Sequence, residues 1–232
     1  MAPSSILPSK ASSSLRIVFQ NINGLPIRSS NPKLDSLQAF INNNHVDVMG
    51  LSELNSVWHL IPTTSHLPAL TAEWFESCHL GLAWNTNEHL LSPCQVGGVA
   101  LLSTNQLAHK VISTGCDPTN LGCWTWTRYR GQQGLYLRIV SCYRPVFNAK
   151  GPLSAYNQHR RFFLTQHIDT CPPKRFLDDL QSHICEWQNE GDLLIVGGDW
   201  NDDTTTLDWQ RYWTELGLTA VEALSGNVPQ AT

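Results

Sequence analysis

Residues able to bind a metal ion or a phosphate stand at the end of an apolar run in the C-terminal half of the chain. The stretch Asp192–Asp203 reads DLLIVGGDWNDD, and its apolar start predicts a fully buried strand. Two glycines then allow a tight turn and leave room for a ligand. If the strand continues to its tip, Asp199 and Asn201 share one face, ~7 Å apart. They suit a phosphate, a metal ion or an attacking water, although Asp and Asn are also common at ordinary strand-to-turn junctions.

Two further strands of the N-terminal half end in polar residues. Residues 15–20 (LRIVFQ) predict a first strand, and Asn21 and Asn23 share a face just where it stops. Residues 46–51 predict a second, buried strand, which Glu53 follows. An amphipathic helical pattern lies between them, so the two strands should be parallel and joined by a right-handed crossover. Their C-terminal ends would then share the sheet edge where α/β proteins usually bind ligands.

The middle of the chain predicts antiparallel strands. Residues 124–130 and 135–143 are joined by a Gly131–Gly134 turn, and the second of them ends at Tyr143. Helical patterns then lead into the Asp192 strand. Four apolar strands therefore end in polar residues, and a topology that gathers these ends explains them better than four unrelated turns.

Length and composition favour one large globular domain. The chain has 232 residues, of which 41% are hydrophobic and nine are tryptophan, enough for a full core. We expect residues 1–14, rich in Ser and Pro, to form a disordered tail and residues 15–232 to form the domain. The net charge of −4 gives no general attraction to nucleic acid, so contact with a polyanion requires a local patch of basic residues.

The cysteine pattern and the lack of a long apolar segment bear on the compartment. Seven cysteines without a C-x-x-C pair argue against a disulfide framework and a structural zinc site. No apolar run approaches the ~18 residues that a membrane helix needs, and residues 1–14 lack the apolar region of a secretory signal. We expect an intracellular protein, cytoplasmic or nuclear, without a membrane partner.

The polar strand ends resemble the motifs of the endonuclease/exonuclease/phosphatase (DNase I-like) superfamily. This superfamily includes abasic-site endonucleases, DNase I-like nucleases, phosphoinositide and sphingomyelin phosphodiesterases, and the endonucleases of LINE-type retrotransposons. The resemblance runs in order from Leu15 to about Leu218, and its motifs are Asn-x-Asn-Gly-Leu at 21–25, the strand end at Glu53, Tyr-x-Pro at 143–145 and Gly-Asp-x-Asn at 198–201. The Asn-Ile-Asn-Gly-Leu motif is most similar to the retrotransposon branch.

The resemblance implies a fold and a metal site. The fold would be α/β, a four-layer sandwich of two mixed β-sheets face to face with helices outside. Glu53 would be the principal ligand of Mg²⁺, with Mn²⁺ as the alternative ion. Asn21 and Asn23 would help to place that ion or the phosphate, Asn23 through water.

The resemblance also implies how the bond would be cut. Asp199 would orient and deprotonate a water for in-line attack on phosphorus. Asn201 and Tyr143 would hold the non-bridging oxygens and stabilise the charge that builds in the transition state.

Two departures from the family pattern lower the expected activity. Val146 stands where members often place an Asn after Tyr-x-Pro. The family ends with a His on its last strand and an Asp that holds it, whereas here the last His is His183 and no Asp follows Asp208. The sequence thus predicts a domain that is incomplete at the C-terminus, lacks its last strands and has little or no activity.

The resulting hypothesis is a Mg²⁺-dependent phosphodiesterase that nicks DNA and derives from a retrotransposon, within a larger polyprotein that carries a reverse transcriptase. A phosphatase or lipid phosphodiesterase of the same fold is one alternative, because residues 55–93, a loop region that would set the substrate, show no readable pattern. A non-catalytic remnant that acts as a binding module is another.

Overall fold

The computed structural model describes residues 7–25, 31–87, 95–148 and 150–221 and shows eight strands, six α-helices and two 3₁₀ helices (Trp58–Leu60 and Thr63–Ser65) in them. The strands are β1 (Ile17–Asn21), β2 (Val48–Ser52), β3 (Cys78–Ala83), β4 (Val99–Thr104), β5 (Val111–Cys116), β6 (Trp124–Arg130), β7 (Tyr136–Tyr143) and β8 (Asp192–Asp199). The helices are α1 (Pro32–Asn43), α2 (Leu67–Trp74), α3 (Asn105–Ala108), α4 (Ala155–Thr165), α5 (Pro172–Asn189) and α6 (Leu207–Glu215). None of these helices has the length and apolar character to cross a membrane.

The strands form two mixed sheets, in the orders β1-β2-β4-β3 and β5-β6-β7-β8. Each sheet contains one parallel pair, β1 with β2 and β7 with β8, and its other neighbours are antiparallel. The predicted sandwich of two mixed sheets with flanking helices is confirmed, and so is the parallel crossover through α1. Because parallel strands end on the same side, the C-terminal ends of each parallel pair lie together.

Helix α1 begins where the sequence provides a cap. The Oδ1 atom of Asn31 accepts a hydrogen bond from the backbone N–H of Lys33 at 3.0 Å, and Pro32 occupies the first turn, where its missing N–H is not needed. Apolar residues at three- and four-residue spacing face the first sheet and are buried, namely Leu34, Leu37 and Ile41. This burial fixes the crossover that aligns β1 with β2.

The two sheets meet at Phe19, whose ring lies between two glycines. A Cβ atom on Gly50 would stand 2.4 Å from Phe19 Cδ1, and one on Gly197 would stand 2.4 Å from Phe19 Cδ2 and Cε2. Opposite edges of one ring thus occupy the space where side chains of β2 and β8 would project. The glycines let β1 approach β8 near the ends that carry Asn21 and Asp199.

The prediction that the apolar run at residues 193–196 is a fully buried strand is wrong, although the run does lie within a strand, β8. In the described sheet β8 is the edge strand and pairs only with β7. Its Leu193 side chain is 56% exposed, and the residues from Leu194 to Asp199 are half-buried. An apolar run has the same appearance in a central strand and in an edge strand that packs on a second sheet and on a helix, so the pattern could not separate the two.

The start of β8 is held by a buried ion-pair network. The Asp192 side chain is fully buried and accepts hydrogen bonds from Arg128 Nη2 at 2.7 Å and Arg138 Nε at 2.8 Å. The Arg138 guanidinium also lies 4.4 Å from the ring centroid of Trp126 and 4.8 Å from that of Trp187. These contacts join β6, β7, β8 and α5 at the end of the sheet opposite Asp199.

Part of the predicted N-terminal tail is described. Within residues 7–14, the backbone N–H of Leu7 donates to Asn44 Oδ1 at 2.7 Å, and the Lys10 ammonium pairs with Asp47. These contacts attach the segment to the loop between α1 and β2.

Candidate active site

The C-terminal ends of β1 and β8 join the two sheets through one hydrogen bond. Asn21 ends β1 and Asp199 ends β8, 178 positions later, and the Asn21 Nδ2 atom donates to Asp199 Oδ2 at 2.6 Å. The Glu53 carboxylate, just after β2, lies close enough to both side chains for Asn21 to lower its pKa and for Asp199 to raise it. On β7, Tyr143 pairs in register with Asp199. The structure therefore brings together Asn21, Glu53, Tyr143 and Asp199, which lie far apart in the sequence.

Glu53 adopts a backbone conformation that is unusual for its residue type. Its φ of 54° lies in the left-handed region, which costs free energy for a residue other than glycine and persists only where neighbours hold it. Here the Gly24 N–H donates to the Glu53 carbonyl at 2.7 Å, and the N–H of the next residue, Leu54, donates to the Gly98 carbonyl at 3.2 Å. Backbone bonds from two neighbouring segments thus aim the carboxylate into the cluster.

The cluster is rich in negative charge. Burial raises the pKa of Glu53 and the nearby Asp199 charge raises it further, while the Asn21 hydrogen bond lowers it. Within the described ranges, no lysine or arginine forms a salt bridge with Glu53 or Asp199. Two neighbouring carboxylates without a protein counter-charge favour a bound cation.

Tyr143 presents a protonated hydroxyl to this cluster. Its side chain is only 5% exposed, and burial together with the charges of Glu53 and Asp199 raises its pKa far above the ordinary value. The ring packs against Gly97, where a Cβ atom would lie 3.4 Å from Tyr143 Cε1. The phenol therefore stays neutral at physiological pH and can donate a hydrogen bond to an anionic oxygen.

The Asn-x-Asn and Asp-x-Asn motifs form the same local turn. The Asn23 N–H donates to Asn21 Oδ1 at 2.8 Å, and the Asn201 N–H donates to Asp199 Oδ1 at 3.0 Å. Asn23 and Asn201 have φ values of 46° and 51°, in the left-handed region that Asn tolerates best among non-glycine residues. In each motif, the third residue orients the side chain of the first.

This turn corrects the expectation that Asp199 and Asn201 share a strand face. Strand β8 ends at Asp199, and the Asn201 amide turns back to donate to the Arg144 carbonyl at 2.8 Å. The residue before Asp199 has to be a glycine, because a Cβ atom on Gly198 would lie 2.0 Å from the Cys142 carbonyl oxygen. The Gly-Asp-x-Asn motif is thus a closely packed turn that fixes Asp199.

Comparison with known proteins identifies the family of this chain. Residues 18–219, most of the chain, match the model of the Endonuclease/Exonuclease/phosphatase family. The chain belongs to this family. No curated protein sequence matches it.

Solved structures support the fold at low sequence identity. The chain is 15% identical to a 3′ phosphatase from Neisseria bound to a product DNA hairpin, with a TM-score of 0.54 over 88% of this chain and 71% of that one. An AP endonuclease from Archaeoglobus fulgidus is 12% identical, with a TM-score of 0.54 over 88% and 70% of the two chains. An endonuclease/exonuclease/phosphatase family protein from Leptotrichia buccalis C-1013-b is 14% identical, with a TM-score of 0.52 over 88% and 75%. These similarities establish the DNase I-like fold.

The donor set of this family member fits a magnesium ion. Mg²⁺ prefers oxygen ligands, keeps several waters and usually takes only one or two carboxylates from the protein. Glu53 would supply one carboxylate, and the repulsion between it and the neighbouring Asp199 carboxylate would be relieved by a divalent cation. In the described part of the chain, no group of three or more His, Cys, Asp and Glu side chains is placed to hold a metal ion.

Two basic residues that support the site escaped the sequence reasoning. Lys33, near the start of α1, donates from Nζ to the Gly24 carbonyl at 2.6 Å and the Asn23 carbonyl at 3.1 Å. Arg144 donates from Nη1 to the Trp200 carbonyl at 3.2 Å and to Asp202 Oδ2 at 3.1 Å. Only the position of Arg144 inside Tyr-x-Pro could have indicated it, and nothing in the sequence distinguished Lys33.

Proposed function

We propose that this chain is a Mg²⁺-dependent phosphodiesterase that nicks DNA. The observation that carries the proposal is the 2.6 Å hydrogen bond from the Asn21 amide to Asp199. It sets the carboxylate at the end of β8 beside the Glu53 carboxylate after β2, whose pKa both Asn21 and Asp199 shift. Two neighbouring carboxylates that pair with no lysine or arginine among the described residues suit a divalent cation and an attacking water. The family of nucleases and phosphatases to which the chain belongs supports the same chemistry.

Each residue at the rim has a role in this proposal. Glu53 holds Mg²⁺, or Mn²⁺ as the alternative ion, with Asn21 beside it. When bound, the ion supplies positive charge to the phosphate oxygens. Asp199, fixed by two hydrogen bonds, accepts the proton of the attacking water. Tyr143 donates its hydroxyl hydrogen to a non-bridging oxygen, whose charge grows in the transition state.

We also propose a retrotransposon origin, a reverse transcriptase as neighbouring domain and slow turnover. The Asn-Ile-Asn-Gly-Leu sequence at 21–25 supports the origin and the neighbour. The slow turnover is proposed because Val146 stands where members of the family often place an Asn after Tyr-x-Pro. A missing hydrogen-bond donor at the phosphate typically costs about 10²- to 10³-fold in kcat.

Nicking of a supercoiled plasmid tests the proposal. We expect slow conversion to open circles in Mg²⁺, none in EDTA, and none with Asp199→Ala. Asp178→Ala removes an exposed carboxylate of α5, paired with Lys174, and is the matched control. Nicking that survives Asp199→Ala would contradict the assigned site, and turnover of a phosphoinositide in place of DNA would contradict the substrate. Rapid nicking that requires Asp199 would refute the slow turnover alone.

A further inference from the structure

The loop that follows Tyr143 carries an exposed aromatic ring. Phe147 is 66% exposed and its neighbour Val146 is 45% exposed, and no other Phe, Trp or Tyr in the described ranges is exposed. Phe147 and Val146 therefore form a contiguous exposed apolar patch beside the active site, and such patches often mark a contact with a ligand.

The ring is fixed although it is exposed. Its centroid lies 4.9 Å from that of Tyr156 on α4, in an edge-to-face arrangement. The next residue, Asn148, accepts a hydrogen bond at its carbonyl from Asn157 Nδ2 at 2.7 Å, and at the start of the loop the Arg144 N–H donates to the Asp199 carbonyl at 2.9 Å. A ring that is already held loses little conformational entropy when a ligand covers it.

The position and the charge around the ring suit a nucleic acid strand. Phe147 follows Tyr143 by four residues, so their Cα atoms are at most ~14 Å apart. This distance corresponds to about four nucleotides along one strand of stacked DNA. Arg160 lies one helical turn after Tyr156, on the same face of α4, and its side chain is exposed. An aromatic face beside a cation is the arrangement with which proteins bind single strands, the base on the ring and the phosphate near the cation.

We propose that Phe147 is a stacking site for an unpaired nucleobase of the strand that enters the active site. This inference rests on the proposed DNA-nicking function and adds to it a preference for single-stranded, gapped or otherwise unstacked DNA near the scissile phosphate. In a continuous duplex the bases stack on one another, so no base face is free to cover the ring.

The test measures binding in EDTA, so that no strand is cut. The probes are a single-stranded oligonucleotide that contains 2-aminopurine and a blunt duplex of the same sequence. We expect Phe147→Ala to weaken single-strand binding by about 5- to 150-fold, the loss that one base–aromatic stack corresponds to. Duplex binding should change much less, and Phe147→Trp should restore both single-strand affinity and 2-aminopurine quenching. Leu164→Ala, which removes another exposed apolar side chain (51% exposed) on α4, is the matched control and should leave both unchanged.

The outcomes separate this inference from the proposed function. The stacking site would be overturned if wild type and Phe147→Ala bound the single strand equally well, or if Phe147→Ala lost the same affinity for the single strand and the duplex. Mg²⁺-dependent nicking would persist in either case, so the proposed function would stand. A wild-type protein that neither binds these oligonucleotides nor nicks plasmid would overturn both. Because Phe147 is exposed, its replacement should leave the melting temperature unchanged, and this measurement would show that the variants are folded.

Discussion

Replacing Gly197 with alanine tests how the sheets position the site. The new Cβ atom would lie 2.4 Å from two ring atoms of Phe19, about 1 Å closer than van der Waals contact. The ring has little room to move away, because its other edge already fills the space over Gly50, where a Cβ atom would lie 2.4 Å from Phe19 Cδ1. Overpacking of this kind typically costs about 1–3 kcal/mol, which for a domain of this size lowers the melting temperature by roughly 2–12 °C.

The same substitution should damage the site more than the fold. Gly197 and Phe19 each lie two residues before a member of the 2.6 Å Asn21–Asp199 hydrogen bond, so separating the strands lengthens that bond. A displacement of about 1 Å at reacting groups can cost on the order of 100-fold in rate.

The effect of Gly197→Ala can be measured in three ways: by the melting temperature, by the increase in melting temperature when Mg²⁺ is added, and by the rate of plasmid nicking. The double variant Phe19→Leu/Gly197→Ala should recover part of each, because the smaller side chain makes room for the methyl group. A Gly197→Ala protein with wild-type stability and Mg²⁺ response, or a double variant worse than the sum of the single ones, would refute the reasoning.

Three further predictions concern other parts of the structure. Glu53→Gln should raise the melting temperature without Mg²⁺ by about 1–2 °C, a gain kept small by solvent screening of a half-exposed group, and should abolish the rise that Mg²⁺ causes. Because the pKa of Glu53 is raised in the folded protein, ionisation of this carboxyl group destabilises the fold of the wild type as the pH increases through that pKa. Scanning fluorimetry should therefore give the variant a higher melting temperature than wild type at neutral pH, and this difference should disappear in acid. Lys33→Met should leave two carbonyls of the turn after β1 without their charged donor, costing about 1.5–3 kcal/mol and speeding hydrogen exchange there. Arg138→Met should cost about 3–5 kcal/mol in urea denaturation because it strips a partner from the buried Asp192 carboxylate, and a variant within 1 kcal/mol of wild type would contradict this account of the network.

Much of the framework could be predicted from local patterns. The apolar runs before Asn21, Glu53, Tyr143 and Asp199 are strands because their residues fill the space between the sheets and the helices. The helix between β1 and β2 made their parallel pairing predictable, since a crossover of that kind is strongly handed. The polar residues at the strand ends are visible in the sequence because no packing requirement accounts for a glutamate just after a buried strand.

The details that decide the chemistry depend on how the two sheets meet. The Asn21–Asp199 hydrogen bond joins residues from different sheets, and no local pattern encodes the relative position of two sheets. The same limit explains why β8 was expected to be buried and why Lys33 was missed. Residues 55–93 show no readable pattern because α2 and β3, which lie within them, have no strong periodicity of their own. They are held by apolar contacts with the core that α1 forms with β2 and β4 of the first sheet.

The outer edge of β8 has a consequence for handling this protein. In the part of the chain that the structure describes, β8 is an edge strand, and its eight residues Asp192–Asp199 include no lysine or proline, the residues that commonly protect such edges. Backbone groups on that side can template strands of other molecules, as in cross-β fibrils. Thioflavin T fluorescence should therefore increase over time in concentrated solutions of the protein. Leu193→Lys, at a residue that already faces solvent, should slow that increase without changing the candidate active site.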